Sequence, residues 1–152
     1  MNSPNNSDAI IALAASIREQ ANTYILNALS RHGVGDILPA HGAVLHALFE
    51  SGPLKMNELA ERIKRKKNTV TGLIGTLESR GYCRREPDPQ DARSQIVLLT
   101  EKGEAMRRIQ DEISVDLLQL VWGDVGEDEK AACTQTLQKV LRNLQQSEST
   151  II

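Results

Sequence analysis

Residues 57–81 read NELAERIKRKKNTVTGLIGTLESRG, and the spacing within this stretch decides the fold. Asn57 to Ile63 forms one short helix. A second runs from about Lys67 to Arg80, because Val70, Leu73, Ile74 and Leu77 recur at steps of three and four and share one face. Gly81 suits its C-terminal cap. Only Lys64, Arg65 and Lys66 separate the two helices. Two short helices joined by three or four residues make a helix-turn-helix, whose second helix can enter the major groove of duplex DNA. With the apolar face turned inward, the opposite face shows Lys67, Asn68, Thr69, Thr71, Gly72, Thr76 and Ser79.

Downstream the period changes. Tyr82 to Glu86 and Ser94 to Leu99 read as strands joined by the proline-rich turn Pro87 to Arg93, a β-hairpin that forms a wing. Thr100 caps a long helix to about Trp122, with Met106, Ile109, Ile113, Leu117 and Leu120 along one seam. A last helix follows Gly126, its Glu127, Asp128 and Glu129 complementing the positive end of the helix dipole. It is expected to carry Cys133, Leu137, Val140, Leu141 and Leu144 inward. Upstream, Ile10, Leu13, Ala14, Ile17, Ala21, Tyr24, Ile25 and Ala28 line one face of a helix from Asp8 to about His32, and Pro39 opens a helix to Glu50. The expectation is one domain over residues 1–152, mostly α with a small β wing, with Met1 to Ser7 and about Ser147 to Ile152 loose.

Composition narrows the function classes. The chain is 40% hydrophobic but only 3% aromatic, so the interior is built from Leu, Ile, Val and Ala. No run approaches the ~18 apolar residues of a membrane span, and the first residues lack a signal-peptide pattern, so a cytoplasmic protein is expected. Cys83 and Cys133 lie fifty residues apart, without metal-ligand spacing, and read as reduced core thiols. His41 and His46, five apart, do not stack on one helical face, so neither a metal nor a cofactor is expected. G-x-S-x-G, P-loop and paired Cys/His arrangements are missing from the sequence, which argues against an enzyme. Net charge is −2, yet Arg62 to Arg93 holds nine basic residues against four acids, a balance of +5 that leaves −7 for the remainder. Such segregation is the footprint of a region that approaches phosphates.

Glu58-Leu59-Ala60, Thr69-Val70-Thr71, Leu77-Glu78, Gly81, Asp91-Ala92-Arg93-Ser94 and Leu99-Thr100-Glu101-Lys102-Gly103 together resemble the MarR family of winged helix-turn-helix regulators. The match is close over about Leu38 to Gly103, while the flanking helices agree in placement. The resemblance implies a homodimer, with residues of about 8–32 and 104–146 as dimerisation helices and 38–103 as the DNA-binding part. It also implies a repressor on a pseudo-palindromic duplex, released by a small aromatic or phenolic effector. The family usually carries a glycine where Lys64 stands, a small or acidic cap at Lys66, and polar or basic residues at Gly72 and Gly75.

On this reading Lys64, Arg65, Lys66, Lys67, Asn68, Thr69, Thr71, Gly72 and Thr76 form the recognition surface, where Asn can pair with an adenine edge and Thr can touch a thymine methyl. Arg93 sits where the family places a minor-groove arginine, and Asp91 could pair with it or with Arg85. Arg84 and Arg85 could meet phosphates. Tyr24, His41, His46 and Trp122 are candidate effector contacts. Two other readings of the basic segment stay open, a protein-interaction module and an RNA-binding one.

Overall fold

The computed structural model describes residues 7–148. A 3-10 turn, Ser7–Ala9, leads into α1 (Ile10–Arg31), followed by α2 (Pro39–Ser51), β1 (Leu54–Lys55), α3 (Met56–Ile63) and α4 (Lys67–Ser79). The order then runs β2 (Cys83–Pro87), β3 (Gln95–Leu99), α5 (Glu101–Trp122) and α6 (Glu127–Glu148). This is the mostly helical winged helix-turn-helix architecture read from the periodicities. The chain divides into two compact units between Leu117 and Leu118, inside α5.

The first unit holds the core. Val44, Leu45 and Leu48 of α2, Leu59 of α3, Val70, Ile74 and Leu77 of α4, and Val97 of β3 are all but sealed from solvent. Met106 and Ile113 of α5 and Ala28 and Leu29 of α1 complete the cluster. Each large aliphatic side chain buried this way contributes about 1.5–3 kcal/mol. The inward stripe expected for α4 is therefore the stripe that packs.

The wing is a three-stranded antiparallel sheet in the order β1-β3-β2. Cys83 faces Leu99 and Pro87 faces Gln95 across the hairpin, one residue later than the expected first strand. Pro87 fits because β2 is an edge strand, where a missing N–H costs no ladder bond. The two-residue β1, absent from the sequence expectation, pairs Leu54 with Val97 and Lys55 with Ile96. Lys55 also reaches Asp88 at 3.3 Å, tying the wing loop to the base of the sheet.

The hairpin is locked to the start of α5. Thr100 Oγ1 donates to the Gly81 carbonyl and accepts the Gly103 N–H at 3.1 Å, capping α5. Gly103 lies so close to the wing that an added Cβ would sit 2.0 Å from the Tyr82 carbonyl oxygen, a contact only glycine permits. Lys102 lies 4.2 Å from the Tyr82 ring centroid and donates to the Arg80 carbonyl at 2.8 Å.

One expectation is corrected at the terminal helices. Along α1, Ile10, Leu13 and Ile17 are 37%, 57% and 54% exposed, and only toward Ala28 and Leu29 does that helix reach the core. In the second unit Leu120, Leu137, Leu141 and Leu144 are exposed rather than inward, and so is Cys133. Helical spacing shows that these residues share a face but says nothing of what covers it. The loose ends expected at Met1 to Ser7 and Ser147 to Ile152 lie largely outside the described residues, although Ser7 is in the 3-10 turn and Ser147 is helical. Among the described residues no helix is long and apolar enough to cross a membrane, and no cluster of metal-ligating side chains occurs.

Candidate nucleic-acid interface

The turn between α3 and α4 and the first residue of α4 carry four consecutive cations, Lys64 to Lys67. Lys64 terminates α3 in the left-handed region at φ +54, the one non-glycine residue with positive φ among the described residues. That conformation costs an L side chain about 1–2 kcal/mol, which explains why a glycine is the easier choice there. Lys66, extended at φ −64 and ψ 145, precedes α4 without capping it through its side chain. The first N–H groups of α4 therefore point outward with no side-chain acceptor, at the positive end of the helix dipole. Lys64, Arg65, Lys66, Lys67, Asn68 and Thr69 are all exposed around that end.

Charge pairing sorts the basic residues into two kinds. Arg62 bonds to Ser51 and lies 4.0 Å from Glu50, Arg84 holds Glu86 at 2.7 Å, and Arg85 holds Glu78 at 2.8 Å. Of the basic residues from Arg62 to Arg93, Lys64, Arg65, Lys66, Lys67, Arg80 and Arg93 have no acidic partner among the described residues. These are the cations left free to meet an external polyanion.

Arg85 and Glu78 connect the wing to α4. Besides the 2.8 Å contact, Glu78 accepts Arg85 Nε at 3.3 Å and its backbone N–H at 3.1 Å. The Arg85 hydrogen bond holds the Glu78 carboxyl below its ordinary pKa and raises that of the guanidinium in return. Arg85 is thus engaged within the molecule, and its carboxylate partner is Glu78 rather than Asp91. Asp91 instead accepts the Arg93 backbone N–H at 3.1 Å, while its own carbonyl accepts the Ser94 N–H at 3.0 Å. Asp91 shapes the turn that presents Arg93, whose side chain is exposed. Sequence reading missed Glu78 as a site residue, although the leucine-glutamate pair was visible.

On α4 the Thr71 hydroxyl donates to the Lys67 carbonyl at 2.9 Å. Thr76 is half-buried and its carbonyl accepts the Ser79 hydroxyl. Gly72 faces open space, with nothing within 4 Å of an added Cβ.

A separate cavity of about 290 Å³ opens between α1, α2 and α5, walled by Ile25, Leu29, Gly42, His46, Gln110 and Ile113 among others. Of the four candidate effector contacts, His46 lines it. His41 is buried on α2, where its Nδ1 accepts the Leu38 N–H at 2.8 Å. Burial and, secondarily, the Arg80 charge lower the His41 pKa. Tyr24 is half-buried on α1 with Arg31 5.8 Å from its ring, and Trp122 belongs to the second unit. Gln110 and Ser114 were missed, although Gln110 interrupts the apolar seam Met106, Ile109, Ile113, Leu117 as a polar residue. Cys83 is buried, and burial pushes its thiol up to about 11, so it is unreactive.

Residues 38–95 match the model of the MarR family. This segment is a MarR-family domain. The chain is similar to the HTH-type transcriptional regulator YkoM of Bacillus subtilis, with 36% identity over 80 residues, covering 49% of this chain and 52% of YkoM. The chain spans about half to three-fifths of the length of the first curated relatives it matches. A cysteine-to-serine mutant of Escherichia coli MarR complexed with operator DNA is 25% identical, with a TM-score of 0.79, over 93% of this chain and 99% of that one. BpsR of Bordetella bronchiseptica, whose DNA binding is regulated by 6-hydroxynicotinic acid, shares the MarR fold at 21% identity and a TM-score of 0.73, covering 86% of this chain and 97% of its own.

Proposed function

We propose that this chain is a sequence-specific regulator of transcription that binds duplex DNA as a homodimer. The observation that carries the reading is the unpaired cationic turn Lys64 to Lys67 at the open N-terminus of α4. Helix N–H groups and lysines hold phosphates there, fixing the register of α4 in the major groove. Asn68, Thr69 and Thr71 then meet base edges, Gly72 and Thr76 follow on the same helix, and Arg93 enters the minor groove from the wing. Arg84 adds a phosphate contact at the cost of its pairing with Glu86, whereas Arg85 acts through Glu78.

Pairing of two chains follows from the exposed apolar face of α1. Ile10, Leu13 and Ile17 lie exposed along one face of that helix, and a patch of that kind marks an interface. A two-fold dimer puts its two α4 helices in successive major grooves, so the half-sites of the pseudo-palindrome lie about 10 base pairs apart. We read the protein as a cytoplasmic repressor without catalytic activity. The 290 Å³ cavity takes a small aromatic or phenolic effector that releases the DNA.

The test is the affinity of the full chain for a palindromic duplex recovered from genomic DNA, for its scrambled counterpart and for structured RNA, across a salt series. Preference for the palindrome with a steep salt dependence is the expected result. Equal affinity for all three rejects the proposal. Binding to none of them favours a protein-interaction module instead.

A further inference from the structure

We infer that the cavity between α1, α2 and α5 selects an uncharged ring carrying an amide-like or hydroxyl group, held by Gln110, and rejects ring carboxylates and ring ammonium ions. This rests on the reading of that cavity as the effector site.

The lining carries the argument. Among the described residues no Lys, Arg, Asp or Glu lines the cavity, and most of the wall is aliphatic. Its polar side chains are His46, Gln110 and Ser114. At about 290 Å³ it is larger than the roughly 150 Å³ that suffices for benzene, so one substituted ring fits with room for a polar group. A carboxylate placed inside loses its hydration and finds no cation in return.

His46 Nε2 lies 3.2 Å from Glu50, so the imidazole already faces a carboxylate outside the wall. Asp36, Asp111, Glu112 and Asp116 neighbour lining residues in sequence, but none of them lines the cavity. A cation is not favoured either, because none of those carboxylates belongs to the wall.

Gln110 is the group able to answer a neutral ligand. Its Nε2 is 3.5 Å from the Gly42 carbonyl, a long bond that a better acceptor displaces at little cost. Its carboxamide offers both a donor and an acceptor, which matches an amide or phenol and not a carboxylate alone.

The experiment uses three ligands of one frame, benzamide, benzoate and benzylammonium, titrated near neutral pH at millimolar concentration into the full chain by calorimetry. Benzamide is expected to bind about ten-fold or more tighter than either ion. Gln110→Leu should weaken benzamide binding, with an unchanged thermal melt showing that the variant is folded, and Ala43→Phe should fill the cavity and abolish binding. Benzoate or benzylammonium binding as tightly as benzamide overturns the charge selection and leaves the effector reading standing. Binding of none of the three overturns both. Benzamide affinity unaltered in Gln110→Leu overturns the assignment of Gln110.

Discussion

Arg85, on the wing, grips Glu78, on α4, through two guanidinium hydrogen bonds of 2.8 and 3.3 Å and a backbone bond of 3.1 Å. Both side chains are about one-third exposed, so solvent screening limits the pair to about 1 kcal/mol of stability. Its larger effect is on direction, since the wing hairpin cannot swing from α4 while the bonds hold. Arg85→Ala is therefore expected to weaken duplex binding while leaving the salt slope nearly unchanged, because that charge is already neutralised. Arg93→Ala should instead make the slope shallower by about 1. Anisotropy titrations at several salt concentrations separate the two, and equal loss of slope would make Arg85 a phosphate contact.

Lys64 combines two opposing effects in one residue. Its positive φ strains the backbone, and its charge stands in the exposed turn before α4, where the proposed function places a phosphate. Lys64→Gly should raise stability by about 1 kcal/mol and lower DNA affinity with a shallower salt slope. Denaturant melts and binding curves on the same sample check both. A destabilised variant would show that φ +54 carries no strain.

Gly103→Ala has nowhere to place its methyl group. The 2.0 Å approach to the Tyr82 carbonyl is to backbone, which cannot rotate away as a side chain does. The expected loss is about 3 kcal/mol, seen as a melting temperature lower by roughly 10 °C. Gly126→Ala, with nothing within 4 Å of the added carbon, serves as the control and should change little.

His41 makes stability depend on acid. Burial and the Arg80 charge hold its folded pKa below the ordinary 6.5, so the fold favours the neutral imidazole that accepts the Leu38 N–H. That contribution is complete above the unfolded value of about 6.5 and is lost as pH falls from there through the lower folded value. His41→Gln keeps an acceptor at the third position of α2, where glutamine commonly serves, and removes the titration. Its stability profile should be flatter between pH 6.5 and the acid limb, measured by denaturant midpoint against pH. An unchanged profile would mean that another group sets that limb.

Local signals made most of the fold legible. The 3.6-residue spacing of Val70, Leu73, Ile74 and Leu77 needs no partner to be recognised, and helix starts were marked by Pro39, Thr100 and the acids after Gly126. Strand β1 was not, since two residues carry no period and Leu54 and Lys55 are extended because Val97 and Ile96 of β3 pair with them. The same distinction governs the site. Lys64 to Lys67 lie together in sequence and were readable as a cluster. The partner of Arg85 depends on how the hairpin packs on α4, so Asp91, nearer in charge pattern, was the natural candidate and Glu78 the actual one. Gln110 was hidden for a similar reason, as a polar residue in a seam is read as an interruption until a cavity is seen beside it.

Gly72 and Gly75 leave two empty places on α4, with nothing within 4 Å of a new side chain at either. Each glycine also costs the helix about 1 kcal/mol relative to alanine. If α4 reads bases as proposed, a side chain that alters specificity at these positions also strengthens the scaffold that must support it, whereas most specificity changes weaken theirs. The proposed reading head can then be rewritten one side chain at a time, by selection or by hand, without passing through an unfolded intermediate sequence.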